Sequence, residues 1–282
     1  MSSVKNGSSL AIDDLLLGFV GSSTPPSQRL NHAIRYFSTW SGTDKLMMTT
    51  QYTAKLLAPF LLYRAELQFR AGKRAQPLSL TTDGLYKFAG QLSQARRIMG
   101  FWGLLAILKG LSDLERSPPR SRLALNIGRL QGLSMLVFYP LEYISFFSAP
   151  FSGPLLRISP AAQIQASLWS VRAWGVWVAL KVVELVAEWN GLLHRQREAR
   201  INYAEDSDTL TMEHTLKMIE KRKKAIKYQL FANISRLPVI THWSVVGGIY
   251  QSEYWTNVLS LISALAAFRG GWESNRVPGP MK

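Results

Sequence analysis

The chain has 282 residues with 33 Lys or Arg against 18 Asp or Glu, so its net charge of +15 indicates an anionic partner without choosing among nucleic acid, lipid and acidic protein. Hydrophobic residues make up 47% and charged residues 18% of the sequence, and with nine Trp this composition is more typical of a membrane-associated protein than of a soluble domain. The absence of Cys excludes disulfide bonds and thiolate metal sites.

The chain divides into one long periodic region between two short ends. Residues 1–28 are rich in Ser, Pro and Gly and are expected to be flexible, and Asp13 and Asp14 interrupt their apolar run, so we expect no secretory signal there. From residue 29 to 270, long runs show helical periodicity and none alternates as a strand does. The sequence therefore predicts a single all-α domain over 29–270, a membrane-associated helical bundle, followed by a flexible tail over 271–282.

Apolar residues recur with helical spacing in residues 84–103, GLYKFAGQLSQARRIMGFWG, which predicts an amphipathic helix. Its apolar seam has steps of three and four and consists of Leu85, Phe88, Leu92, Ala95, Met99 and Trp102. The basic residues beside this seam are Lys87, Arg96 and Arg97. Asp83 is a predicted N-cap of this helix, and Ser41 or Thr43 is a predicted N-cap of the preceding one. Spacing alone leaves open whether the seam packs against protein or enters a lipid surface.

The two halves of the domain differ in hydrophobicity. Helical runs within 29–120 are amphipathic, whereas those within 121–270 are more apolar and richer in Trp, so we expect membrane-embedded helices in the second half. The segment 254–268 is the best candidate for a membrane span, and a short or re-entrant arrangement that turns at Gly247 and Gly248 is the alternative. Small side chains at four-residue spacing in this segment predict self-association through Ser260, Ser263, Ala264 and Ala267.

Catalytic and nucleic-acid-binding patterns are absent from the sequence. The four His have no metalloprotease spacing, and the Gly residues form no phosphate-binding loop. We therefore expect a protein that is not an enzyme and that uses no metal or cofactor. The basic run over 220–227 is interpreted either as a solvated helix face or as a site for anionic lipid headgroups, and no nucleic-acid-binding motif accompanies it.

Four short motifs occur in order along the chain: WSGTDKLMMTTQYTAKLL (40–57), LQFRAGK (67–73), FYPLEYISF (138–146) and LFANISRLPVITHW (230–243). Together they resemble the peroxisomal biogenesis factor eleven family. The first motif resembles its G-x-D-K and Q-Y signature, and the second resembles its R-x-G-K motif. The third and fourth motifs are similar to its Y-Y-P-x-E-H and L-P…H-W segments. The positions that carry the match, and to which the resemblance assigns structural roles, are Gly42, Asp44, Lys45, Tyr139, Pro140, Glu142, Pro238, His242 and Trp243. Tyr143 stands where His is usual, and Ser235 and Arg236 stand where an acidic residue is common. The Trp-rich middle looks closest to the gamma-like, fungal C-type branch.

The resemblance implies a function that acts on a membrane. Members of this family reside in the peroxisomal membrane, self-associate, elongate the membrane through an amphipathic helix and help to recruit the fission machinery. By this resemblance the seam would enter the cytosolic leaflet of an anionic phospholipid membrane, and the three basic residues beside it would meet headgroups. Expected partners are further copies of the chain, other family members and the fission machinery. The alternative is a pore for small metabolites, lined by Arg172, Lys181 and Glu184.

Overall fold

The computed structural model describes residues 27–148, 155–205 and 209–275. Within these ranges every regular element is a helix, which confirms the all-α prediction. The eight helices are α1 (Gln28–Phe37), α2 (Trp40–Arg70), α3 (Leu80–Gly100), α4 (Gly103–Arg116), α5 (Arg122–Phe147), α6 (Pro160–Glu205), α7 (Thr209–Trp243) and α8 (Glu253–Ser274). Residues 1–26 and 276–282 lie outside the described part. The flexible tail is predicted to begin at residue 271, but α8 continues to Ser274, so residues 271–274 are helical.

Helix starts follow the capping chemistry of small polar side chains, but at positions other than those predicted. The Thr39 side chain accepts a hydrogen bond from the backbone N–H of Gly42, so it is Thr39 that caps α2 rather than Ser41 or Thr43. Helix α3 starts at Leu80 after Ser79, which places Asp83 inside the first turn instead of at the cap. A carboxylate in the first turn still favours the helix, because it lies near the positive end of the helix dipole.

The helices pack in an order that differs from their order in the chain. Helix α3 contacts α2, α2 contacts α8, α8 contacts α7, α7 contacts α6, α6 contacts α5, and α5 contacts α4. The C-terminal helix α8 therefore lies between an N-terminal helix and α7. This arrangement joins the two halves that differ in hydrophobicity into one structure.

Helix α8 is an internal helix of the bundle. Its Ala264 packs with Met48 and Tyr52 of α2, and the hydroxyl of Ser263 donates a hydrogen bond to the Ala232 carbonyl of α7 at 2.8 Å. Ser260 is also buried, whereas Ala267 is half-buried. The prediction that these small residues join two copies of the chain is corrected, because α2 and α7 of the same chain already occupy that face.

In the described part of the chain, no helix is at once long and apolar enough to cross a membrane, so the predicted span over 254–268 is not found there. A turn at Gly247 and Gly248, which the alternative re-entrant arrangement requires, is present, and both residues have positive φ, at 83° and 74°, while re-entry into a membrane stays a prediction. Positive φ is the region in which Gly is favoured, because a Cβ would clash with the backbone. This turn leads from α7 into α8.

Helix α1 closes the end of the bundle through an aromatic cluster. The Tyr36 hydroxyl donates to the Phe268 carbonyl of α8 at 3.1 Å, and the Tyr36 ring lies 5.7 Å from the Trp272 ring in an edge-to-face arrangement. Burial, with a further contribution from the charge of Asp44, raises the pKa of Tyr36 to about 12. The chain thereby fixes α1 to both α2 and α8.

The turn between α1 and α2 predicts an effect of substituting Gly42. A Cβ added to this buried Gly would overlap the backbone carbonyl of Tyr36, which cannot move aside as a flexible side chain can. We expect Gly42→Ala to lower the free energy of unfolding by about 1–3 kcal/mol, the usual cost of overpacking. Chemical denaturation of the purified protein measures this change.

Gly90 of α3 is the matched control for this prediction. A Cβ at Gly90 would meet nothing within 4 Å, so Gly90→Ala should stabilise the protein by about 0.5–1 kcal/mol through better helix propensity. Equal effects of the two substitutions would contradict the close approach at Gly42.

Candidate functional site

Three of the four family-like motifs contribute to one partly buried cluster of polar side chains, which we call the polar junction. It is built by α2, α3, α5 and α7. Its members are Asp44, Lys45, Gln51, Arg96, Arg97, Tyr139, Glu142, Tyr143 and Arg236. Residues that are up to about 190 positions apart in sequence therefore form a single site.

Asp44 is the central carboxylate of the polar junction. It accepts hydrogen bonds from the Lys45 Nζ at 2.7 Å and from the Arg96 Nε at 2.7 Å. A terminal nitrogen of Arg96 donates to the Gln51 side-chain oxygen at 3.0 Å, which ties α3 to α2 a second time. Burial by itself would raise the pKa of Asp44, but the charges and hydrogen bonds of Lys45 and Arg96 outweigh it and lower the pKa.

Helix α5 joins the polar junction through the motif around Glu142. The Arg97 Nε lies 3.2 Å from a Glu142 oxygen, and the Glu142 carboxylate also accepts from the Ser170 hydroxyl of α6 at 3.3 Å. The Tyr143 hydroxyl donates to the backbone carbonyl of Arg97 at 2.9 Å. Burial raises the pKa of Tyr143, and also that of Tyr139, where the charge of Asp44 adds to the effect. Both phenols are therefore neutral at physiological pH, and the Tyr143 phenol is the one that donates within the polar junction.

The structure divides the predicted seam of α3 into two parts. Helix α3 faces α2 with Thr82, Ala89 and Arg96, which are spaced seven residues apart, and the Thr82 hydroxyl donates to the Ala58 carbonyl at 3.4 Å. The seam lies beside this face. Three of its residues are half-buried and three are exposed: Leu85, Leu92 and Ala95 in the first group, and Phe88, Met99 and Trp102 in the second.

The three predicted headgroup-binding residues also lie in different environments. Lys87 is exposed and pairs with Asp83 one turn away at 2.8 Å, and this pairing raises the pKa of Lys87. Arg97 is about half-exposed although it contacts Glu142. Arg96 is turned inward onto Asp44 and Gln51, so its assignment to headgroups is corrected. An ion-paired guanidinium inside the bundle has exchanged water for protein partners and is not presented to a lipid surface.

A larger exposed apolar area surrounds the turn between α3 and α4. Phe101 and Trp102 keep right-handed helical backbone angles, so the two helices meet directly without a long loop. The opposite side of α4 packs on α5, where Leu111 and Leu114 contact Gly132 and Gly128. The exposed side forms what we call the α3–α4 apolar surface: Ile98, Met99, Phe101, Trp102, Leu105 and Leu108. Exposed apolar residues close together are one feature of interaction surfaces.

The other motif residues lie inside helices or at helix ends. His242 is buried, stacks on the Tyr250 ring at 3.8 Å and accepts a hydrogen bond from the backbone N–H of Ile249 at 2.9 Å. Pro140 and Pro238 lie inside α5 and α7 on exposed sides, and Trp243 is half-buried at the end of α7. His242 therefore holds the turn that leads into α8.

Charged groups of the second half are largely paired within the chain. In the basic run, Arg222 forms a two-bond pair with Glu188 at 2.6 and 2.7 Å, while Lys223 and Lys227 lie over the Trp189 ring. Among the residues predicted to line a pore, Lys181 pairs with Glu184 at 2.8 Å. The third, Arg172, donates instead to the Ser244 carbonyl at 3.1 Å. No group of His, Asp and Glu that could hold a metal ion occurs in the described residues.

Over its described residues this is an all-helical protein in which three motifs contribute to a polar junction, and an exposed apolar surface lies next to that junction, where Phe101 contacts Tyr143. The family model of Peroxisomal biogenesis factor 11 (PEX11) matches residues 30–272, and the chain belongs to this family. The family comprises peroxisomal membrane proteins that take part in peroxisome proliferation and division, so the protein is a peroxisomal membrane protein and a biogenesis factor of that organelle. No curated protein and no solved structure matches the chain significantly. The predicted family is confirmed, while the gamma-like branch stays a prediction.

Proposed function

We propose that this protein elongates the peroxisomal membrane by inserting the α3–α4 apolar surface into the cytosolic leaflet, and so promotes proliferation and fission of the organelle. The observation that carries the proposal is the exposed apolar cluster around Trp102, a residue that is 68% exposed. The chain belongs to a family of peroxisomal membrane proteins, so a membrane is available to this cluster. Apolar side chains inserted into one leaflet expand that leaflet relative to the other, which favours curvature.

This proposal moves the inserting element toward the C-terminal end of α3 and onto α4. Of the predicted seam, Met99 and Trp102 belong to the α3–α4 apolar surface, and Leu105 and Leu108 extend it along α4, while Phe88 is exposed earlier on α3. Leu85, Leu92 and Ala95 instead sit at its edge, where α3 approaches α2. Each Leu or Phe that leaves water for lipid gains about 1.5–3 kcal/mol, so a few such side chains are enough for stable binding.

Basic side chains near the α3–α4 apolar surface account for a preference for anionic lipid. Lys87 and Lys109 are exposed and pair only with neighbouring carboxylates of the same helix, Asp83 and Asp113. Exposed pairs of this kind contribute little to stability and exchange readily for lipid phosphate. The anionic phospholipid membrane is thus the proposed principal partner. Self-association, contact with other family members and recruitment of the fission machinery are proposed from the family alone.

Reconstitution tests the proposal and its alternative together. Purified full-length protein is added to vesicles that contain phosphatidylserine and an entrapped dye, and shape is followed by electron microscopy while dye release is recorded. We expect tubules without dye release. Dye release from vesicles that stay round would support the metabolite pore and overturn the elongation proposal.

A further inference from the structure

The polar junction contains more positive charge than its own carboxylates balance. Its cations are Lys45, Arg96, Arg97 and Arg236, and its carboxylates are Asp44 and Glu142. Lys45 and Arg96 both form salt bridges with Asp44, and Arg97 forms a salt bridge with Glu142. Arg236 is left without a carboxylate partner in the described contacts of this site.

The surroundings of Arg236 do not satisfy its guanidinium. Its Nε is sealed from solvent and has no hydrogen-bond partner. One terminal nitrogen lies 4.0 Å from the Met48 sulfur, a weak acceptor, and the guanidinium carbon lies 5.6 Å from the centre of the Trp174 ring. Burial, and then the like charge of Arg96, lowers the pKa of Arg236.

An uncompensated buried charge is strongly unfavourable, and Arg cannot escape it as Lys does by losing a proton. A bound anion removes the imbalance. Guanidinium groups bind phosphate through paired N–H donors, and Arg236 has such donors free of carboxylate. Although Nε is sealed, Arg236 as a residue keeps some exposed surface, so a ligand would approach the terminal nitrogens of the guanidinium and not Nε.

We propose that the polar junction is a binding site for a phosphate group, either a free phosphate or phosphate monoester or the headgroup of a phospholipid, held by the guanidinium groups of Arg236 and Arg96. Binding at this position connects α3 and α7 through one ligand. The site is separate from the α3–α4 apolar surface and does not depend on the function proposed for that surface.

Thermal unfolding of the full-length protein in detergent, followed by Trp fluorescence, tests this proposal. Inorganic phosphate and glycerol 3-phosphate are titrated at constant ionic strength, and nanodiscs with phosphatidic acid are compared with nanodiscs of phosphatidylcholine. We expect a saturable rise in Tm. A rise with the soluble phosphates identifies a free ligand, whereas a rise confined to phosphatidic acid identifies a lipid headgroup.

Variants separate a site from a general effect of anions. Arg236→Met replaces the charge by an apolar chain suited to the contact with Met48 and Trp174, and it should weaken binding at least tenfold. Arg236→Lys keeps the positive charge, is used if the first variant does not fold, and should also weaken binding because it lacks the paired donors. Arg64→Met, at an exposed position of α2, should respond as the unchanged protein does. The absence of a saturable rise with every ligand, or equal responses of the unchanged protein and the Arg236 variants, would overturn the proposal.

Discussion

Replacing Trp102 and Leu105 together by Asp is expected to abolish vesicle tubulation and peroxisome elongation while leaving the fold intact. The two side chains are 68% and 59% exposed, so the substitutions remove little packing. Each substitution places a carboxylate where the α3–α4 apolar surface would enter lipid. Moving a charged side chain into the hydrocarbon region costs about 2.5–3.5 kcal/mol on scales derived from helix insertion experiments, which give the lower values for this cost. Vesicle flotation, electron microscopy and the number and length of peroxisomes in cells measure the effect.

Ile201→Asp is the matched control for this double variant. Ile201 is 65% exposed near the C-terminal end of α6, outside the α3–α4 apolar surface, and Asp there should leave binding and tubulation unchanged. Circular dichroism and Tm report folding of both proteins. Normal tubulation by the folded Trp102 and Leu105 variant would show that this surface does not insert.

Asp44→Ala is expected to have the largest effect on stability, about 3–5 kcal/mol, because it removes the carboxylate that balances Lys45 and Arg96 in a partly buried site. The pH dependence has a defined sign. The pKa of Asp44 in the folded protein lies below its ordinary value, so its contribution is present at neutral pH and is lost as the pH falls through the lowered pKa. Chemical denaturation at several pH values measures both effects.

Two further variants make this result specific. Glu66→Ala breaks an exposed pair with Arg70 on the same helix and should cost only about 0.3–0.5 kcal/mol. The double variant Asp44→Ala with Arg96→Met removes the charge left uncompensated and should recover part of the loss. If Asp44→Ala cost no more than Glu66→Ala, the polar junction would not be a determinant of the fold.

Several features of this protein were predictable from local sequence because they depend on residues close together in the chain. Helical periodicity is set by steps of three and four, and the turn at Gly247 and Gly248 needs backbone angles that Gly favours. The family motifs could be read for the same reason, since each is a short contiguous run. Spacing alone also placed Phe88 and Trp102 in an apolar seam, and both are exposed in the structure, while their insertion into a membrane stays a prediction.

Other features were decided only by long-range contacts. Arg96 and Lys87 look alike as basic residues beside an apolar seam, yet Arg96 turns inward because Asp44, 52 residues away, lies opposite it on α2. The packing face of α3 was hidden for a related reason: Thr82, Ala89 and Arg96 form no apolar stripe. Similarly, the small residues of α8 fit either a second copy of the chain or a neighbouring helix, and only the fold supplies α2 and α7 as those neighbours. A local pattern specifies which sides of a helix are apolar, small or charged, but the partner of each side depends on the tertiary structure, because helices distant in the chain compete for the same faces.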